Sequence, residues 1–121
     1  MLFWRLAAVG SLLLAVPVCA HEVAGKNGGR VTDAGKYHVE LVARDKTVDV
    51  YVTDEGEKPL PATGFKGTAI LVINGKPARI TLIPTDDKKL TGTAEVALGS
   101  APKGAVQLTA PDGATASGKF N

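Results

Sequence analysis

The chain has 121 residues, 21% of them charged, with a formal net charge of +2 at neutral pH. That length suits one domain and not two, and charges of both signs interspersed along the chain argue against a nucleic-acid or anionic-membrane surface. A single cysteine, Cys19, excludes an intrachain disulfide, so stability must come from packing.

Residues 1–20 read as an export signal. Arg5 supplies the positive start, and Leu6 to Val16 is an apolar run broken only by Gly10 and Ser11. Val18-Cys19-Ala20 puts small residues where a signal peptidase reads, which sets cleavage after Ala20. The run is too short for an ordinary spanning helix, so no stable membrane insertion is expected after cleavage. The expected product is a periplasmic chain beginning at His21 and free of Cys, Met and Trp. Lipid attachment at Cys19 is the alternative; Val18 stands where a lipoprotein signal carries a smaller residue.

Residues 21–29 are polar and Gly-rich and predict a mobile arm or loop before a domain spanning 30–121. Arg30-Val31-Thr32 predicts a short strand ended by Asp33-Ala34-Gly35. From Tyr37 to Arg44 the residues alternate, with Tyr37, Val39, Leu41 and Ala43 on one face and His38, Glu40, Val42 and Arg44 on the other. Val48, Val50 and Val52 alternate in the next strand, and Asp45-Lys46 suits a two-residue hairpin. That turn pairs Leu41 with Val50, Val39 with Val52, Glu40 with Tyr51 and His38 with Thr53.

Residues 54–64 form a loop by composition, with two prolines and two glycines. Thr68 to Ile73 is apolar on both faces, as in a central strand, and Asn74-Gly75 is a hairpin turn signal. Ala78, Ile80 and Leu82 then alternate inward. Pro77 cannot donate to a ladder and belongs at a strand start or an edge. After a charged turn at 85–89, Leu90, Gly92, Ala94, Val96 and Leu98 are expected inward. Residues 99–104 form a loop. Val106 and Leu108 mark a strand, Pro111-Asp112-Gly113 a turn, and Ala114 to Phe120 a closing strand.

After residue 20 nothing has helical periodicity. Seven or eight short strands at near-regular spacing predict an all-β, antiparallel, immunoglobulin-like sandwich, with a small closed barrel as the runner-up.

No enzyme motif is present. Ser100 and Ser117 lie outside any G-x-S-x-G, no phosphate-cradling loop or dinucleotide fingerprint occurs, and Asp86-Asp87 sits in a Lys-rich turn typical of solvated residues. The expectation is a protein that is not an enzyme. Metal binding is the sharper chemical possibility. With cleavage after Ala20, the α-amine and imidazole of His21 chelate one ion, and His38 supplies the only other imidazole. Glu40, two residues from His38 on the same strand face, and Asp49 across the hairpin are candidate oxygen donors. Imidazole with carboxylate suits Cu(II), Zn(II) or Ni(II), while the lack of Met and Cys argues against a Cu(I) site. The bland alternatives are that His38 is a surface polar residue and Glu40 a cross-strand partner of a Lys or Arg.

Asn27-Gly28-Gly29, Ala34-Gly35, Tyr37-His38-Val39-Glu40-Leu41, Tyr51-Val52-Thr53-Asp54 and Lys58-Pro59-Leu60 together resemble a group of small bacterial periplasmic β-domain proteins. Lys103-Gly104-Ala105-Val106 and Pro111-Asp112-Gly113 extend that resemblance over most of the chain after residue 20. Residues 27–60 are also similar to the N-terminal β-domain of heavy-metal efflux periplasmic adaptor subunits. In such proteins the segment before the Gly-Gly pair is often rich in histidine, which implies metal capture; here that segment carries His21 alone. In architecture the chain is loosely similar to the small periplasmic copper carriers. The resemblance implies a monomeric carrier, buffer or efflux accessory whose partner is a metal-efflux or other envelope protein. The alternative expectation is a metal-free interaction module that docks through a strand edge or loop.

Overall fold

A computed structural model describes residues 22–121. The expected signal, Cys19, the cleavage point and His21 lie outside the described residues. Nine strands form among them: β1 (Val23–Ala24), β2 (Arg30–Ala34), β3 (Tyr37–Arg44), β4 (Thr47–Thr53), β5 (Lys66–Ile73), β6 (Lys76–Pro84), β7 (Leu90–Thr93), β8 (Lys103–Thr109) and β9 (Thr115–Phe120). All pairings are antiparallel, and the spatial order is β1-β2-β3-β4-β7-β6-β5-β8-β9.

The β3–β4 hairpin has the predicted register: Leu41 faces Val50, Val39 faces Val52, Glu40 faces Tyr51 and His38 faces Thr53. The turn between them uses Asp45 at φ 54°. The β5–β6 hairpin closes through Asn74 and Gly75 at φ 54° and 78°, the two positive angles that a twist-matched two-residue turn requires. Pro77 pairs with Val72 on one side only. The ladder between β6 and its other neighbour, β7, contains only Ile83 and Pro84, so the missing N–H faces no paired strand.

The all-β, antiparallel class is as expected, but the nine strands are one hydrogen-bonded series where an immunoglobulin-like sandwich has two separate sheets. Two residue pairs at β6–β7 join the half containing β1 to β4 and β7 to the half containing β5, β6, β8 and β9, and the nine-stranded sheet is curled. Its concave face holds the core: Val39, Leu41, Val48, Val50, Val52, Ala69, Leu71, Ile80, Leu82, Leu90, Val106, Leu108 and Phe120. Phe65 closes one end, with Tyr37 edge-on at 5.4 Å between ring centroids.

β9 returns against β2 without forming a ladder with it. The approach is close enough that a Cβ on Gly118 would lie 2.8 Å from Thr32 Cγ2 and 2.9 Å from the Asp33 carbonyl oxygen. Side chains close this seam. Arg30 pairs with Glu22 at 3.1 Å, donates to the carbonyls of Pro102 and Asn121, and lies 5.3 Å over the Phe120 ring. A guanidinium suits this position because it stacks on a ring while its N–H fork serves several acceptors.

Two local expectations need correction. Val96 is 45% exposed, because β7 ends at Thr93 and the following residues leave the ladder. Residues 22–29, expected as a mobile arm or loop, contain β1 and a hydrogen-bonded turn in which Gly25 N–H donates to the Gly29 carbonyl at 2.9 Å. That turn carries buried carboxylate contacts.

A groove on the outer face of the sheet

The outer face of β1 to β4 forms the floor of a groove of about 900 Å³, bounded by the Val23–Asn27 segment, the Glu57–Pro61 loop and the Asp87-Lys88 turn. Strand register organises the floor into cross-strand rows. Val23, Val31, Glu40 and Tyr51 form one row; Asp33, His38 and Thr53 form the next. A further row beyond the groove places Val42 beside Asp49 and Asp49 beside Thr91. His38, Glu40 and Asp49 therefore share one face, as the alternation of β3 and the hairpin register predict. Successive rows are separated by roughly 7 Å along the strand.

Glu40 is buried, and its carboxylate is committed to the turn above it. Its Oε2 accepts from the main-chain N–H groups of Asn27 at 2.9 Å and Gly29 at 2.8 Å, and Oε1 accepts from Asn27 Nδ2 at 2.9 Å. Convergent backbone N–H groups of this kind form a nest for an anion, and here the anion is internal. The turn lies so close that a Cβ at Gly25 would fall 2.2 Å from Glu40 Cδ, so this approach requires glycine. Glu40 is thus a clasp for the turn. Among the described residues it pairs with neither a Lys nor an Arg, which corrects the cross-strand expectation.

Asp49 is also buried and committed. Oδ1 accepts from the Thr91 hydroxyl at 2.7 Å, and Oδ2 stands 3.5 Å from Lys89 Nζ. It joins β4 to β7. Both carboxylates have partners, as buried charges must, and neither faces the groove as a free donor.

His38 differs. Its Nε2 lies 3.2 Å from Asp33 Oδ1, with side-chain exposures of 28% and 66%. Both groups line the groove. Asp33 was missed as a candidate ligand, although the tight Gly35-Lys36 turn, once paired as Ala34 with Tyr37, places it opposite His38. Asn27, the other functional contact missed, belonged to the presumed arm. Among the described residues, no group of three or more His, Cys, Asp or Glu side chains is placed to hold a metal ion. His38 and Asp33 form a pair.

The fold and groove define a small antiparallel β-domain with a solvent-open imidazole–carboxylate pair on its convex surface. The chain matches no protein-family model, no curated protein and no solved structure.

Proposed function

We propose that this chain is an exported, non-enzymatic binding domain that takes a divalent transition-metal ion, Cu(II) or Zn(II), weakly at the His38 end of the groove. The observation that carries this is the 3.2 Å separation of His38 Nε2 and Asp33 Oδ1 in an open wall. Two donors bonded to one tetrahedral ion at ordinary metal–nitrogen and metal–oxygen lengths stand about 3.3 Å apart, so little rearrangement is needed. Two protein donors make a weak site, with water or a further protein nitrogen filling the remaining positions. His21 is the candidate for that nitrogen. Glu40 and Asp49 drop out of the proposed ligand set because their oxygens already serve other groups. The role of carrier, buffer or efflux accessory follows from the family resemblance.

Thermal unfolding of the chain starting at His21, with and without Cu(II), Zn(II) and Ni(II), tests this. A metal that binds only the native state stabilises it by about 2.7 kcal/mol at a hundredfold excess over the dissociation constant. The melting temperature should rise with Cu(II) or Zn(II), and the rise should vanish in His38→Ala and shrink in Asp33→Asn. A version extended by one residue before His21 should lose part of the Cu(II) effect. No rise with any metal well above micromolar concentration would sink the proposal.

A second reading, a metal-free envelope interaction module, is favoured by the edge of the sheet. Among the described residues β1 pairs only with β2, and Val23 is 58% exposed. An extended peptide could add there as a further strand.

A further inference from the structure

The strands β5, β6, β8 and β9 contain five Lys or Arg residues and no Asp or Glu. The acidic residues fall instead in the segment before β1, in β2 to β4, and in the turns and loops. Alternation turns Lys66, Arg79, Lys103 and Lys119 outward, opposite in sense to the buried Ala69, Leu71, Ile80, Val106 and Phe120. Charges interspersed along the sequence are thus sorted by the fold into a basic outer face.

That face is also aliphatic. Arg79, Ile70, Ala105 and Lys119 form one cross-strand row, and Pro77, Val72 and Lys103 the next. Val72 is 46% exposed and Ile83 is 55% exposed. Between them Thr81, Thr68, Gln107 and Ser117 form a hydroxyl and amide row along a shallow trough of about 540 Å³. Exposed aliphatic side chains at the two ends of the face, half-buried Ile70 and a hydrogen-bonding row between them, and cations alongside suit a partner that is anionic and partly apolar.

We infer that this face docks on an anionic phospholipid bilayer. Headgroup phosphates answer Lys66, Arg79, Lys103 and Lys119, the glycerol region answers the Thr-Gln-Ser row, and the upper acyl boundary receives Ile83 and Val72. A polysaccharide or nucleic acid would satisfy the cations and leave the aliphatic side chains in water. The contact is peripheral and involves no spanning segment.

The test is cosedimentation of the chain starting at His21, which contains all the described residues and lacks the apolar run Leu6 to Val16 that would bind lipid by itself. The probes are vesicles of phosphatidylcholine alone and of phosphatidylcholine with about one third phosphatidylglycerol. Binding is expected to the anionic vesicles only, to fall as salt rises, and to weaken at least about tenfold in the double variant Arg79→Glu/Lys119→Glu. Val72→Ser/Ile83→Ser should weaken it as well, while Arg44→Glu/Lys46→Glu, on the other half of the sheet, should not. Circular dichroism of each variant separates lost binding from lost folding. Equal binding to both vesicles, no binding to either, or equal loss in the Arg44/Lys46 variant overturns the inference. Retention on heparin without vesicle binding overturns it in favour of a polyanion site.

Discussion

Glu40 reaches the main chain of Gly29, its Oε2 accepting the Gly29 N–H at 2.8 Å, and so holds the first turn of the domain against the outside of the sheet. The same oxygen takes the Asn27 N–H, so one buried carboxylate secures two backbone donors that have no strand partner. Removing the carboxylate leaves those donors unserved. We expect Glu40→Ala to destabilise the domain by about 2–3 kcal/mol, measured by urea unfolding. Glu40→Gln should cost less, since its amide oxygen still accepts. In neither variant should the metal-induced rise in melting temperature disappear; its loss in the folded Glu40→Gln variant would return Glu40 to the ligand set.

Asp49 offers a parallel distinction. Asp49→Ala removes the buried acceptor of the Thr91 hydroxyl, which then keeps Thr85 Oγ1 at 3.0 Å as its partner, and should cost about 1 kcal/mol. Asp49→Asn keeps an acceptor for Thr91 and loses the charge facing Lys89, a pair whose lysine is 31% exposed, so its cost should stay below about 1 kcal/mol. A double-mutant cycle with Lys89→Met measures the coupling directly. A coupling of several kcal/mol would show that the pair acts as a buried ion pair.

At the seam, Gly118→Ala should be poorly tolerated despite its small size. The added Cβ meets the Thr32 methyl, the Asp33 carbonyl and the Val39 side chain, at 2.8, 2.9 and 3.1 Å. Overpacking of this kind costs about 1–3 kcal/mol. Glycine-to-alanine changes in open turns, such as Gly113→Ala, meet no side chain and test backbone conformation alone. Equilibrium unfolding of both separates the steric effect from the conformational one.

Arg30→Lys should destabilise the domain although the charge is kept. A lysine cannot serve Glu22, Pro102 and Asn121 together or stack as a plane on Phe120. We expect a loss of about 1–2 kcal/mol and faster proteolysis near Glu22, read by limited digestion and mass spectrometry. Unchanged stability in Arg30→Lys would mean that β2 and β9 are held by apolar packing alone.

Local pattern carried most of the strand assignments. The alternation in Tyr37–Arg44 and the two-residue turn at Asp45-Lys46 determine the β3–β4 register, because a slip by one residue would turn Val39 and Leu41 out of the core. Asn74-Gly75 does the same for β5 and β6. Global arrangement was less legible. Whether the halves form two sheets or one depends on the short Ile83–Thr91 and Pro84–Leu90 contacts, which no periodicity announces. The site was legible by face and not by partner. His38, Glu40 and Asp49 do share a surface, yet Glu40 is engaged by a turn within a segment of polar and glycine residues, and Asp49 by a strand some forty positions away. The sorting of cations onto β5, β6, β8 and β9 is likewise a product of strand order, invisible in a linear charge pattern.

The Arg30 contacts also bear on how the chain folds. Arg30 meets Pro102 and Asn121 at sequence separations of 72 and 91 residues, and Glu22 meets Asn121 at 99. Closure of the β2–β9 seam therefore waits until nearly all of the described chain is present. Such distant pairings carry a large loop-closure cost and slow the search for the native topology. The β3–β4 and β5–β6 hairpins should form early as independent units, and the clasp at Arg30 should be among the last contacts made and the first released on unfolding.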